Sequence, residues 1–83
     1  MSLLRTLTKA KLDEWLTREL RLVPGCEDCV MQITEVLADT GPEDCNWSPQ
    51  VSMTPGRHPD PTFCTKHALA IVERAQQRFR VSD

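Results

Sequence analysis

The chain has little glycine and no long apolar run. It contains three glycines in 83 residues, and none of them belongs to a phosphate-binding loop. No apolar segment approaches the roughly 18 residues that a membrane-spanning helix requires. The first fifteen residues lack a sustained apolar stretch and a small-residue cleavage site. We therefore expect no signal peptide, a cytoplasmic protein and no membrane partner.

Strong net charge is also absent. The formal charge is −2, and it is distributed unevenly along the chain. Residues 26–62 carry seven acidic side chains against the single Arg57, whereas the segments on either side each carry a net charge of +2. This pattern excludes the overall basic bias that is typical of proteins that bind nucleic acid.

The length predicts one domain over residues 1–83 with a marginal core. A chain of this size buries only about 60–65% of the surface that it exposes when unfolded. Small domains therefore often need a metal, a disulfide or a second copy for stability. The four cysteines, in the reducing cytoplasm expected here, predict metal ligands or thiols more than disulfides.

Two amphipathic helices are predicted near the ends of the chain. In residues 8–22, the leucines Leu12, Leu16 and Leu20 recur at helical spacing, Thr8 is a favourable N-cap, and a Pro-Gly pair follows. Residues 60–80 predict the second helix. Its apolar stripe consists of Ala68, Ile71, Val72, Ala75 and Phe79.

The middle of the chain predicts a β-hairpin. Residues 30–38 contain β-branched residues in rough alternation, with Met31, Ile33 and Leu37 on one parity, and residues 39–44 have turn chemistry. Residues 46–54 resemble a returning strand, which Pro49 would make an edge strand or break. The expected fold is therefore α+β with the order α-β-β-α, and both helices lie on one face of the hairpin. Because periodicity does not decide so short a run, an all-α fold with a middle helix at 27–38 is the alternative.

Two cysteine-containing pairs predict a zinc site. A C-x2-C pair precedes the first strand, and a C-x2-H pair follows the second strand. Because a hairpin returns to the end from which it started, both pairs should meet at one end of the domain. Thiolate sulfur and imidazole nitrogen are the ligands that structural zinc prefers. The predicted ligands are Cys26, Cys29, Cys64 and His67.

The ligand set has alternatives. Cys45 lies near the predicted turn, at the other end of the hairpin, so it is not expected to bind the metal. His58 lies in the returning loop, where it could replace His67 or contact a ligand. Packing offers another interpretation, since free cysteines often act as small apolar core residues.

Thiol chemistry is a competing interpretation of the same cysteines. Cys26 and Cys29 form a C-x-x-C pair, but the two acids between them oppose thiolate formation, and the β-α-β pattern of thioredoxin-like proteins is absent. A nucleophile formed by Cys64 and His67 lacks an evident orienting residue. We therefore expect a protein that is not an enzyme.

Two surfaces are candidates for partner binding. Trp47 could close the hairpin or, with the acidic pair Glu43 and Asp44, stand exposed and contact a protein. Arg74 and Arg78, one helical turn apart, could contact phosphate, so a nucleic-acid-binding regulator is an alternative. The acidic middle and the lack of interleaved aromatic residues disfavour that alternative.

The segments 43–49, EDCNWSP, and 71–81, IVERAQQRFRV, resemble a group of small uncharacterised bacterial and prophage-associated proteins. These proteins share a Gly-Cys-Asn-Trp-Ser motif and a similar C-terminal helix. This chain departs from their pattern, with Asp44 in place of the glycine and Arg80 in place of an asparagine. The resemblance implies a shared surface around Cys45 and Trp47, and it implies no activity.

These observations together predict a small cytoplasmic binding or adaptor protein. It would be encoded by a mobile element, bind an unidentified protein and be stabilised by zinc. The alternatives are a nucleic-acid-binding regulator and a thiol redox protein.

Overall fold

A computed structural model describes residues 4–37, 45–54 and 61–82. The elements in chain order are β1 (Arg5–Leu7), α1 (Lys9–Arg21), β2 (Val30–Ile33), β3 (Val51–Thr54), α2 (Pro61–Gln76) and β4 (Phe79–Val81). The α+β class and the α-β-β-α order of the central elements are therefore confirmed. The all-α alternative is wrong, because a strand occupies the middle of the segment 27–38.

Helix α1 begins and packs as its sequence predicts. The Thr8 hydroxyl accepts a hydrogen bond from the Lys11 N–H at 3.3 Å, which satisfies one of the unpaired donors at the helix start. Leu12, Leu16 and Leu20 are fully buried against the rest of the core. The helix therefore packs on the core through one apolar stripe.

Strands β2 and β3 form the predicted antiparallel hairpin. Met31 lies opposite Met53, and Ile33 lies opposite Val51. Directly opposed residues share a face of a sheet, so these four side chains form the inner face that packs on the helices. The hairpin is interrupted beyond Ile33, where one further bridge joins Val36 to Trp47.

The interruption is a change of register around Pro49. Two residues separate Ile33 from Val36, whereas three separate Trp47 from Val51. One extra residue on the second strand is the pattern of a bulge, and proline favours such a site because it has no N–H to donate.

A polar stripe of α1 covers the outer edge of β2. The Asp13 carboxylate accepts the Ile33 N–H at 2.8 Å. The Thr17 hydroxyl accepts from the Met31 N–H at 3.0 Å and donates to the Met31 carbonyl at 3.1 Å. One turn later, Arg21 Nε donates to the Cys29 carbonyl at 3.1 Å. Side chains four residues apart thus satisfy four backbone groups along this edge, as a neighbouring strand would.

The sequence-based prediction is wrong at the end of the second helix. Residues up to 80 were expected to be helical, but α2 ends at Gln76, and residues 79–81 form a strand that pairs in parallel with β1. Phe79 and Val81 are buried and Arg80 is half-buried, as expected for a strand. No glycine or proline marks the end of the helix, and a pairing partner more than 70 residues away leaves no local signal.

Candidate metal centre

The loop after α1 presents two cysteines from consecutive turns. Gly25 has a positive φ of 95°, which a residue without a Cβ adopts at low cost. The Cys26 N–H donates to the Val23 carbonyl at 3.0 Å, and the Cys29 N–H donates to the Cys26 carbonyl at 3.2 Å. This geometry turns the chain tightly and brings both sulfur atoms to the same side of the loop.

The third cysteine comes from the start of α2. The sulfur atoms of Cys26, Cys29 and Cys64 all lie within 4.8 Å of one another. All three residues are buried, with relative exposures of 0%, 0% and 1%. The structure thus brings together three of the four predicted ligands, from segments that are 38 residues apart.

Two of these sulfur atoms form a disulfide. Cys26 and Cys64 are bonded, with their Cα atoms 6.0 Å apart, and Cys29 is outside the bond. The expectation that the cysteines are thiols or ligands rather than disulfides is therefore wrong for this pair in the structure. The physical reason is proximity, because two cysteines held at this separation can be joined without moving the backbone.

The cluster has the composition of a site for a soft metal ion. With zinc–sulfur distances of about 2.3 Å, tetrahedral coordination places the sulfurs about 3.8 Å apart. The bonded sulfurs of Cys26 and Cys64 are closer to each other than that, so metal binding would require the disulfide to be reduced and the two sulfurs to separate. Thiolate ligands favour zinc and other thiophilic ions. The cluster can therefore exist as a disulfide with one additional thiol or, when reduced, as three metal ligands.

His67 is not a member of this cluster. It is exposed on α2, and its ring packs edge-on against Phe63 with centroids 4.7 Å apart. The prediction of His67 as a fourth ligand is not supported by this geometry, because its imidazole lies on the solvent side of the helix. His58, the predicted alternative, lies outside the described residues, as do Glu43 and Asp44.

Cys45 lies outside the cluster, as expected. Its sulfur donates to the Trp47 carbonyl at 3.6 Å, and the residue is half-buried. Burial raises the pKa of the Cys45 thiol above its ordinary value, although the hydrogen bonds to Trp47 and Gln76 and the charge of Arg80 act in the opposite direction. The thiol is therefore protonated at neutral pH and is a poor nucleophile.

Trp47 is buried, so the interpretation in which it stands exposed for a partner is wrong. Its exposure is 1%, and its indole Nε1 donates to the Phe79 carbonyl at 3.1 Å. Asn46, which the sequence analysis missed, binds the backbone of Val81 twice: its amide nitrogen donates to the carbonyl and its amide oxygen accepts the N–H, both at 2.7 Å. The Asn-Trp pair therefore holds β4 in place and has no exposed indole to offer a partner.

An apolar groove between β3 and α2 is a further candidate surface. Its volume is about 290 Å³. The lining residues are Pro49, Gln50, Val51, Met53, Thr65, Ala68 and Leu69. None of these side chains titrates, and Leu69 is 57% exposed at the rim. Arg74, further along α2, and Arg78, in the turn after α2, are both exposed, but one helix does not present them together as predicted.

No helix in the described parts of the chain is long and apolar enough to cross a membrane. Comparison of the chain with protein-family models, curated proteins and solved structures found no match in any of the three. The resemblance to prophage-associated proteins therefore stays a prediction, and functional inference depends on the geometry described above.

Proposed function

We propose that the protein is a small, non-enzymatic binding module whose fold is stabilised by a zinc ion held by Cys26, Cys29 and Cys64. The observation that carries the proposal is the convergence of three buried sulfur atoms within 4.8 Å. Two of them come from one tight loop and the third from a distant helix, which is how small domains build structural metal sites. The cytoplasmic location and the mobile-element origin remain predictions from the sequence.

The burial of the cluster favours a structural role over catalysis. A thiol that exchanges disulfides with a protein substrate must be accessible, whereas these three cysteines are at most 1% exposed. The same burial argues against a nucleophile at Cys64. A buried group of thiolates needs a cation nearby, because unpaired buried charge is costly.

A structural zinc site needs a fourth donor. The described residues contribute three sulfurs, and zinc in such sites is usually four-coordinate. Because His67 is exposed and outside the cluster, His58 is the remaining sequence-based candidate for the fourth ligand, and His67 serves as the control. Zinc affinity measured for His58→Ala and His67→Ala separately would identify the donor, since only the ligand's removal should weaken binding.

The zinc proposal is tested by comparing two serine variants of the fully reduced protein. Native mass spectrometry and titration with a zinc chromophore should find one zinc ion per wild-type chain. Cys29→Ser removes a proposed ligand and should weaken binding by more than the roughly 10–100-fold that loss of an outer-shell contact costs. Cys45→Ser removes a thiol outside the cluster and should bind zinc like the wild type. Equal binding by both variants would contradict the proposal.

The groove between β3 and α2 is the proposed contact surface for a protein partner. Its apolar, uncharged lining favours binding an apolar segment over acid–base catalysis, and exposed apolar patches often mark interaction sites. Leu69→Asp should abolish enrichment of a partner in cross-linking pull-downs. Leu22→Asp is the matched control, because Leu22 is 72% exposed and is not among the groove-lining residues. If both variants retain the partner, the groove is not the contact surface.

A further inference from the structure

The three-sulfur cluster includes both a disulfide and the proposed zinc ligands. Cys26 and Cys64 are bonded to each other, and the sulfur of Cys29 lies within 4.8 Å of both. A sulfur in a disulfide has no thiolate charge to offer a cation. The two states of the cluster therefore compete for the same atoms.

We infer that this cluster is a redox-gated zinc site, which binds the ion when all three cysteines are reduced and releases it when Cys26 and Cys64 form their disulfide. This inference rests on the proposed function and adds the regulation of that site. Cys29 distinguishes the two states, because it is needed for the metal and not for the disulfide.

Loading requires a two-electron reductant, and a dithiol is one suitable class. Two electrons and two protons pass from the dithiol to the Cys26–Cys64 bond, which breaks to give two thiols, and the reductant leaves as its own disulfide. Zinc then displaces one proton from each of the three thiols.

Release requires a peroxide. Two thiolates, those of Cys26 and Cys64, give two electrons to hydrogen peroxide as the S–S bond forms and the O–O bond breaks. The peroxide takes up two protons and leaves as two water molecules. Cys29 takes up one proton and becomes a thiol again, and Zn²⁺ departs.

Burial of the three cysteines determines which oxidants and reductants can reach them. The three cysteines are nearly inaccessible, so small molecules such as hydrogen peroxide and a low-mass dithiol should react far faster than a protein substrate. The cluster is thus distinguished from a thiol oxidoreductase, whose reactive sulfur is presented to other proteins.

Switching between the oxidised and the zinc-bound state changes the type of bond that joins the two segments but does not remove the connection. The loop after α1 is tied to the start of α2 by a covalent bond in the oxidised state and by coordinate bonds in the zinc state. Only the reduced, metal-free protein lacks both links. We therefore expect the oxidised and the zinc-loaded protein to share one circular-dichroism spectrum, and the reduced, metal-free protein to have the lowest Tm of the three.

The decisive experiment measures zinc and disulfide in the same samples. Native mass spectrometry should find one zinc per chain after reduction with a phosphine and addition of zinc, and no zinc on the oxidised chain under the same conditions. Hydrogen peroxide added to the zinc-loaded protein should release one zinc per chain. Tandem mass spectrometry should then identify a Cys26–Cys64 bond, with Cys29 alkylated as a thiol after unfolding.

Two variants test the zinc site and the disulfide separately. Cys29→Ser should still form the Cys26–Cys64 disulfide on oxidation but should bind zinc at least 10-fold more weakly when reduced. Cys45→Ser should follow the wild type in every measurement, since its sulfur lies outside the cluster.

The outcomes distinguish this inference from the proposed function. If the reduced protein takes up no zinc, both fail. If the reduced and the oxidised protein bind zinc equally, or if peroxide leaves the zinc in place, the gate is refuted and the zinc site stands. A bond between Cys26 and Cys29 in the oxidised product would overturn the assigned pairing.

Discussion

Helices α1 and α2 are linked at both ends of the pair, and the chemistry of the two links differs. The sulfur end, formed by Cys26, Cys29 and Cys64, joins the end of α1 to the start of α2. The strand end, formed by β1 and β4 with Asn46 and Trp47, joins the start of α1 to the end of α2. The sulfur end contains a disulfide that reduction would break and is the proposed zinc site, whereas the strand end depends on hydrogen bonds and packing that neither reduction nor zinc should alter.

This difference assigns separate roles to the two ends. A small domain needs its sequence-distant segments tied together, because its core alone supplies little net stability. The strand end provides this tie at all times, through the parallel pairing of β1 with β4 and the side chains that cover the other edge of β4. We therefore expect the fold to persist when the sulfur end is reduced or binds a metal.

The strongest test of the strand end is Trp47→Ala. Loss of a fully buried indole should destabilise the protein by about 3–5 kcal/mol, and the Phe79 carbonyl would also lose its donor. Urea denaturation should give the same loss for the oxidised and the reduced protein. A loss that depended on redox state would mean that the two ends are coupled. Val36→Ala, at an exposed position facing Trp47, is the control and should cost little.

The corresponding test of the sulfur end is Cys64→Ala. In the oxidised protein, losing a cross-link between residues 38 positions apart should lower the free energy of unfolding by about 4 kcal/mol, because the unfolded chain gains entropy. In the reduced, metal-free protein, the variant and the wild type should unfold at nearly equal urea concentrations. Cys45→Ala should show no such dependence on redox state. A Cys64→Ala deficit of the same size in both conditions would mean that packing, not cross-linking, explains the effect.

A smaller effect is expected from Asn46→Ala at the strand end. The change leaves the N–H and carbonyl of Val81 without their partners, which should cost about 1–3 kcal/mol. Asn46→Asp keeps an acceptor for the Val81 N–H and loses the donor to the carbonyl, so its loss should be intermediate. Hydrogen exchange at the Val81 amide would report the effect locally. Unchanged protection in Asn46→Ala would contradict the assigned role.

The smallest effect concerns Cys45 and pH. Because burial raises the pKa of this thiol in the folded protein, the folded state holds the proton more tightly than the unfolded state. The contribution to stability is present below the unfolded pKa of about 8.5 and is lost as pH rises through the folded pKa. Urea midpoints from pH 7 to 10 should therefore fall more for the wild type than for Cys45→Ala. Parallel pH curves would show that ionisation of Cys45 does not affect stability.

Local signals in the sequence predict the central elements well. Helix α1 has an N-cap, a leucine stripe and a Pro-Gly stop, and it begins at the residue after Thr8. The convergence of Cys26, Cys29 and Cys64 follows from hairpin topology, because a chain that turns back returns to its starting end. A partial signal for the contacts of α1 with β2 was present and missed: Asp13, Thr17 and Arg21 recur every four residues beside the leucine stripe.

Other features have no local signal. The parallel pairing of β1 with β4 involves three residues from each end of the chain, too few for alternation to be recognised. The position of Trp47 also misled the prediction, since an indole beside polar residues is compatible with either an exposed contact or a buried anchor. Its environment depends on β4, which is 32 residues further along the chain.

The amino-acid order alone determined the helices, the hairpin and the meeting of three cysteines at one end. The helices and strands follow from neighbours within a few residues, and the meeting of the cysteines follows because a hairpin turn reverses the direction of the chain. The tertiary structure decided which sulfurs bond, that His67 faces solvent, and that Asn46 and Trp47 anchor the last strand. These outcomes depend on distances between segments that are remote along the chain, and such distances are fixed only when the whole core packs.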